Sequence, residues 1–119
     1  MDSIEHEFLA DCRTRLAFDL MANTWNPVVL WALRKGPQRP SQLRRRIGGI
    51  STKVLTEALR RLEYSGLIDR RAEDVPSRVE YALTELGASL LGPIEAFGRW
   101  AHENGDEVMA AQERHDASA

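Results

Sequence analysis

The sequence lacks the cysteine pairs of a disulfide framework and the long apolar run of a membrane span. Its 119 residues include a single cysteine, Cys12, which cannot form a disulfide within the chain and agrees with a reducing compartment. No apolar run approaches the roughly 20 residues that a membrane helix needs. The acidic start MDSIEHEF also lacks the apolar stretch of a signal peptide. We therefore expect a cytoplasmic protein with no membrane association.

Signatures of catalysis and of cofactor binding are missing as well. The histidines, His6, His102 and His115, stand near the ends of the chain without the spacing of metal ligands. The sequence contains neither a glycine-rich phosphate loop nor a nucleophile elbow. These absences argue against an enzyme and predict no bound metal and no cofactor.

The chain does have a pronounced segregation of charge. The net charge is only −2, yet residues 34–78 hold 12 Lys or Arg side chains and 5 Asp or Glu side chains, a local balance of +7. The remaining residues have a balance of −9. Because phosphate responds to the local field rather than to the overall total, the central segment is suited to bind nucleic acid. A set of solvated helix faces that happen to cluster is the alternative interpretation.

Apolar spacing and turn residues predict one domain over residues 1–119, which is mainly α-helical with a small β-hairpin. Helices are expected at about 12–34, a short helix, a longer helix and the hairpin at 39–83, further helices at 84–114, and a frayed tail at 115–119. Ser41 is the expected cap of the short helix, and Ser51 or Thr52 that of the longer one. This order of elements is that of a winged helix-turn-helix, which typically reads duplex DNA.

The longer helix carries the strongest signal of function. Its apolar residues Leu55, Ala58, Leu59 and Leu62 fall at positions i, i+3, i+4 and i+7, which predicts one buried stripe and an opposite polar face. A solvated helix face, and an arginine-rich hairpin that merely stays soluble, are the plainer interpretations. The predicted DNA-binding residues are Ser51, Thr52, Lys53, Thr56 and Arg60 in the major groove and Arg44, Arg45, Arg70 and Arg78 on backbone phosphates.

The terminal segments hold more large apolar residues than one face of a small domain needs. We expect them to pack against a second copy of the chain, so that a two-fold dimer presents its two DNA-contacting helices to two half-sites about one helical turn apart. The alternative is that they cover only their own core. The predicted interface consists of Phe8, Leu9, Leu86, Leu90, Ile94, Phe97 and Trp100.

With these residues in view, the chain resembles the HxlR-type family of bacterial winged-helix transcriptional regulators from about Cys12 to Trp100. The segments GISTKVLTEALRRLEYSGLIDR and PSRVEYALTELGASLL carry the resemblance. It implies a homodimer that binds an inverted-repeat operator and acts as a repressor or an activator, and of these two roles we expect a repressor. The chain has Asn23-Thr24-Trp25 where the family usually has Gly-Lys-Trp, and Pro40 where an aromatic residue usually follows Arg39.

The resemblance also makes Cys12 a candidate sensor of oxidants or electrophiles, because many relatives keep a cysteine at this place. Arg13 and Arg15 would favour its thiolate, whereas Asp11 would oppose it. A packed, unreactive thiol is the alternative. Two other functions remain open: a winged-helix module that docks an acidic protein without DNA, and a regulator with an effector pocket between its terminal helices near Trp25, Trp31 and Trp100.

Overall fold

The computed structural model describes residues 13–72 and 78–118 of the chain. Over these residues the fold is mainly helical with one two-stranded antiparallel hairpin, as the sequence predicts. The elements are α1 (Arg13–Ala22), α2 (Trp25–Ala32), α3 (Pro40–Ile47), α4 (Thr52–Tyr64), β1 (Ile68–Ala72), β2 (Val79–Leu83), α5 (Glu85–Ala88) and α6 (Leu91–Ser118).

The first two helices meet at a tight connection. The Asn23 side-chain oxygen accepts the backbone N–H of Trp25 at 3.0 Å and so covers a free donor at the start of α2. Pro27 lies in the first turn, where its missing N–H costs no hydrogen bond. The helix ends at Ala32, and the chain turns away through Gly36, whose φ of 140° suits glycine.

Helices α3 and α4 form the helix-turn-helix. Ser51 caps α4 as predicted, because its side-chain oxygen accepts the N–H of Val54 at 3.1 Å. The predicted cap of α3, Ser41, is wrong: the cap position is Arg39, whose N–H donates to the Gln42 side chain at 2.8 Å. Pro40 explains the difference, since its fixed backbone suits the first helical position and places Ser41 inside the helix.

The hairpin is attached to the helices at its second strand. In the ladder Ile68 pairs with Leu83, Arg70 with Tyr81 and Arg71 with Glu80. Gln38, in the connection between α2 and α3, exchanges backbone hydrogen bonds of 2.9 and 2.8 Å with Tyr81. This short bridge fixes the orientation of the hairpin relative to α3.

One apolar cluster holds α2, α3, α4 and the base of the hairpin together. The predicted stripe of α4 is confirmed: Leu55, Ala58, Leu59 and Leu62 are at most 2% exposed. The stripe meets Val29, Leu30 and Leu33 of the second helix region and Leu43 of α3, all within 1% of full burial. Their burial stabilises the fold by about 1.5–3 kcal/mol per large side chain.

A close contact joins the hairpin to the C-terminal helices. The Thr84 hydroxyl donates to the Gly66 carbonyl at 2.7 Å and accepts the N–H of Gly87 at 3.0 Å. A Cβ on Gly87 would lie 1.9 Å from the Leu67 carbonyl oxygen, so only glycine fits this position.

The last helix extends further than the sequence indicates. Its 28 residues continue to Ser118 without a break at Gly105, so residues 115–118, expected to fray, are helical. After Gly105 most residues are good helix formers such as Ala, Glu, Gln and Arg, and neither Gly nor Pro follows to end the helix. None of the helices in residues 13–72 and 78–118 is long and apolar enough to cross a membrane.

Candidate nucleic-acid interface

The outer face of α4 is a continuous polar strip opposite its buried stripe. With about 100° between successive residues, Lys53, Thr56, Glu57 and Arg60 fall within about a third of the helix circumference. Lys53, Glu57 and Arg60 are exposed, and Thr56 is half-buried. Ser51 and Thr52 stand exposed at the N-terminal end of the strip. We call the predicted groove-facing residues the reading strip: Ser51, Thr52, Lys53, Thr56 and Arg60.

Two side chains of the strip have defined chemistry. The Thr56 hydroxyl donates to the Thr52 carbonyl at 2.8 Å, which leaves its oxygen lone pairs and its methyl group for a base edge. Glu57 forms no ion pair with any residue of the ranges 13–72 and 78–118, so no described arginine neutralises its carboxylate. A carboxylate in this position accepts hydrogen bonds and repels phosphates.

Arg61 is not part of this polar surface, because its side chain is hydrogen-bonded towards the interior. Its Nε and Nη2 donate to the side-chain oxygen of Asn26 at 3.3 and 3.2 Å. Asn26 is 4% exposed, and its own amide donates to the Leu20 carbonyl at 2.7 Å. Asn26 thereby connects α1, α2 and α4 and sets the position of the reading strip relative to the terminal helices. The sequence offers one hint of this role, a polar residue inside the apolar helix TWNPVVLWALRKG.

The arginines of α3 do not form one surface. Arg44, Arg45 and Arg46 are all exposed, but Arg44 and Arg46 point about 160° apart around the helix. Arg45 and Arg46 line a cleft with the turn that follows α2, whereas Arg44 is not part of that cleft. The predicted pair Arg44 and Arg45 is therefore divided between two sides of α3.

The hairpin places its arginines on different faces. Cross-strand partners share a face, so Arg70 lies with Tyr81, while Arg71 lies opposite Glu80, whose charge offsets it. Arg78 is exposed and immediately precedes β2. Arg70 and Arg78 are thus accessible cations of the wing. Arg70 lies in the third of the five cross-strand pairs, and Arg78 lies beside residues 73–77, which are outside the described residues.

The terminal helices expose much apolar surface. Phe97 is 61% exposed and Trp100 is 56% exposed, and with Asn104 and Val108 they follow a helical spacing along one face of α6. Leu86 is also exposed, whereas Leu90 and Ile94 pack partly against the chain's own core. The remaining predicted interface residues, Phe8 and Leu9, and the candidate sensor Cys12 lie outside the described residues.

A groove of about 860 Å³ runs between α2 and α6. Its walls are mainly apolar, and Glu95, Arg99 and His102 contribute polar groups. Of the tryptophans expected near an effector pocket, Trp31 lines the groove, Trp25 packs against the core, and Trp100 is not among the lining residues. The lining is completed by Met21, Pro27, Val28, Ile94, Phe97 and Gly98.

Among residues 13–72 and 78–118, no three His, Cys, Asp or Glu side chains come together as metal ligands would.

A capped helix with an exposed polar strip, a bracing helix before it and an arginine-bearing hairpin after it define a winged helix-turn-helix protein. The model of the HxlR-like helix-turn-helix family matches residues 20–109, and the chain belongs to this family. Its members and relatives are transcriptional regulators, and the resemblance seen in the sequence is confirmed.

Relatives of similar length match this chain over most of its sequence. It is 38% identical over 111 residues to the HTH-type transcriptional regulator YtfH of Escherichia coli, covering 92% of this chain and 88% of YtfH. The solved structure of the transcriptional regulator ytfH from Salmonella typhimurium superimposes with a TM-score of 0.74 at 36% identity, over 89% of this chain and 96% of that one.

A third relative is known in several chemical states. The reduced form of the transcriptional regulator YodB from B. subtilis superimposes with a TM-score of 0.69 at 30% identity, over 78% of this chain and 92% of that one. YodB has also been solved in quinone-bound and diamide-treated forms, which match this chain as well.

Proposed function

We propose that the protein is a homodimeric transcriptional regulator that binds an inverted-repeat DNA operator in a sequence-specific manner and represses transcription. The observation that carries this proposal is the exposed reading strip on α4, capped at Ser51 and placed beside an arginine-bearing wing. Such a dimer represses transcription where its operator overlaps a promoter, because it then blocks access of the polymerase. Its place of action is then the cytoplasm, with the chromosomal DNA.

The roles within the strip follow from side-chain chemistry. Lys53 and Arg60 carry donors for guanine acceptors or phosphates, and Thr56 offers a methyl group and an acceptor oxygen to a base edge. Ser51 and Thr52, at the N-terminal end of the helix, bring hydroxyl groups into the groove, where each can donate to or accept from a base edge. Arg44, Arg45, Arg70 and Arg78 supply further charge for the backbone, which positions the protein without selecting sequence.

The dimer is supported by the surface of α6. The helix is about 42 Å long, and within Leu91–Ser118 none of its residues is fully buried by the rest of the described chain. A helix of this length with Phe97 and Trp100 exposed is stabilised by packing its apolar face, and a second copy supplies a matching face by symmetry. Two reading strips would then meet half-sites about 34 Å apart.

Selection of binding sites from random duplexes, followed by titration of the selected operator and of random DNA, tests the proposal. Thr56→Val keeps the shape and the methyl group but removes the hydroxyl, so it should change base preference at one position per half-site. Arg78→Gln should weaken binding to all sequences and lessen its salt dependence. Equal losses on operator and random DNA for Thr56→Val would contradict base reading by that side chain. Binding to an acidic protein without any affinity for duplex DNA would favour the protein-interaction module instead.

A response to oxidants or electrophiles through Cys12 is a second candidate, favoured by the reduced, quinone-bound and diamide-treated forms of the relative YodB. Because the chain has one cysteine, a disulfide must join two molecules, whereas a quinone would add to a single thiolate. Either change at Cys12 would alter the dimer and release DNA. A Cys12→Ser variant that releases operator DNA under diamide and quinone just as the native protein does would refute this role.

The groove between α2 and α6 suits an apolar effector as a further means of control, because its walls are largely hydrophobic. Trp31 provides the measurement: an effector in the groove should change tryptophan emission in the native protein and not in a Trp31→Phe variant. An unchanged response in that variant would place the effector elsewhere.

A further inference from the structure

A second cationic surface lies beside α3, away from Arg44. An open cleft of about 530 Å³, which we call the basic cleft, lies between α3 and the turn after α2. It is lined by Lys35, Gly36, Pro37, Gln38, Gln42, Arg45 and Arg46. Its lining contains three cations and no carboxylate. Neither Lys35 nor Arg46 belongs to the DNA-binding residues predicted from the sequence.

The walls of the basic cleft are held in place by hydrogen bonds. The Gln38 side chain donates to the Ala32 carbonyl at 2.6 Å, and the Gln38 backbone is bonded to Tyr81 of β2. The Gln42 side-chain oxygen accepts the N–H of Arg39 at 2.8 Å. Both glutamines are therefore fixed structural parts, and the cleft is an ordered feature connected to the hairpin.

The cations of the basic cleft are available to a ligand. Lys35, Arg45 and Arg46 are exposed, and within the ranges 13–72 and 78–118 none of them forms an ion pair. Three cations gathered without a counter-charge repel one another, so an anion that enters the cleft relieves this repulsion. An arginine guanidinium also binds a phosphate group through two parallel hydrogen bonds.

We propose that the basic cleft binds a phosphate of the DNA backbone beside the groove that α4 enters, and that Lys35 and Arg46 make this contact. The inference rests on the proposed DNA-binding function. The first helix of a helix-turn-helix crosses the DNA backbone while the second lies in the groove, and the basic cleft is built on the first of these, α3. One arginine run thus serves two surfaces, with Arg46 in the cleft and Arg44 on the opposite flank.

The salt dependence of binding tests the proposal. Each phosphate neutralised contributes about 0.9 to the slope of log affinity against log salt. The dimer makes the contact to one phosphate in each of two half-sites, so Lys35→Gln/Arg46→Gln, which removes both contacts, should lower the slope by about 1.8. Between about 50 and 200 mM salt the native protein should then lose about 12-fold more affinity than the variant. The ratio of operator to random affinity should stay as in the native protein, since phosphates carry no sequence information.

Arg114→Gln, which removes an exposed cation from α6, is the matched control and should leave the slope unchanged. Ethylation of DNA phosphates locates the contact: one phosphate per half-site should interfere with the native protein and not with the double variant. Thermal unfolding of each variant verifies that it is folded, as expected for exposed positions.

The outcomes separate this inference from the proposed function. A native protein that does not bind duplex DNA at low salt would refute both. A double variant with the native slope and the native ethylation pattern would refute the cleft contact alone. A third result would show that the cleft binds an acidic protein instead. In that case the native protein would bind a polyglutamate peptide even when it is already bound to duplex DNA, and the double variant would not bind the peptide. The phosphate assignment would then be wrong.

Discussion

Replacement of Asn26 by alanine should destabilise the fold far more than the small size of the asparagine side chain suggests. The substitution removes the bond from the Asn26 amide to the Leu20 carbonyl and both bonds from Arg61. A neutral hydrogen bond contributes about 0.5–1.5 kcal/mol and one to a charged group about 1.5–3 kcal/mol. Arg61 is half-buried and can turn towards water, so we expect a total loss near the lower end, about 2–3 kcal/mol. In a domain of this size that corresponds to a fall in Tm of about 8–12 °C.

Urea unfolding of Asn26→Ala, Arg61→Met and the double variant provides the assay. Arg61→Met should cost less, about 1–2 kcal/mol, because Asn26 keeps its bond to Leu20. The double variant should cost about 1 kcal/mol less than the sum of the single changes, since the two side chains share their interaction. Ser89→Ala is the control: the Ser89 hydroxyl also donates to a carbonyl, that of Leu86 at 2.5 Å, but at an exposed position. An Asn26→Ala variant within about 0.5 kcal/mol of the native protein, like the control, would refute this account of how α1, α2 and α4 are joined.

Three further predictions concern the caps, the glycines and the dimer. Ser51→Ala should lower stability by about 1 kcal/mol and Ser41→Ala by less than about 0.5, and the reverse order in urea unfolding would restore Ser41 as the cap of α3. Gly87→Ala should destabilise the fold by about 2 kcal/mol or more, because the new Cβ meets the Leu67 carbonyl. Gly105 has open space around it, so Gly105→Ala should stabilise α6 by about 0.5–1 kcal/mol. Similar Tm values for the two variants would contradict the close contact at Gly87. Phe97→Glu should weaken self-association by about 100-fold or more in sedimentation equilibrium, because each copy loses about 1.5 kcal/mol of apolar burial. Ala117→Glu, on another side of α6, is the control and should have little effect. A native-like dimer of Phe97→Glu would exclude the Phe97 face of α6 as the interface.

Local features of the fold are well predicted from the sequence because they depend on neighbours along the chain. The buried stripe of α4 follows from the spacing of Leu55, Ala58, Leu59 and Leu62, and the cap at Ser51 follows from the preference of serine for that position. The two strands follow from alternation and from the turn residues between them. These elements, in this order, are enough to indicate the fold class.

Features that depend on distant contacts are not visible in the sequence. Asn26 and Arg61 are separated by 35 residues, and only the packing of α2 on α4 brings them together. The division of the α3 arginines between two surfaces depends on where the turn after α2 lies. The same holds for α6, where Leu90 and Ile94 pack partly on the chain's own core while Phe97 and Trp100 do not. Periodicity identifies an apolar face but does not indicate which part of it the chain itself covers.

The most direct test of the regulator proposed here is sedimentation velocity with a fluorescent duplex that carries the selected operator, measured at low and at moderate salt. We expect a complex of two protomers per duplex, whose stability falls with salt and falls further when Lys53 and Arg60 are both replaced by glutamine. A protein that remains a monomer and leaves the sedimentation of the duplex unchanged at low salt would contradict it.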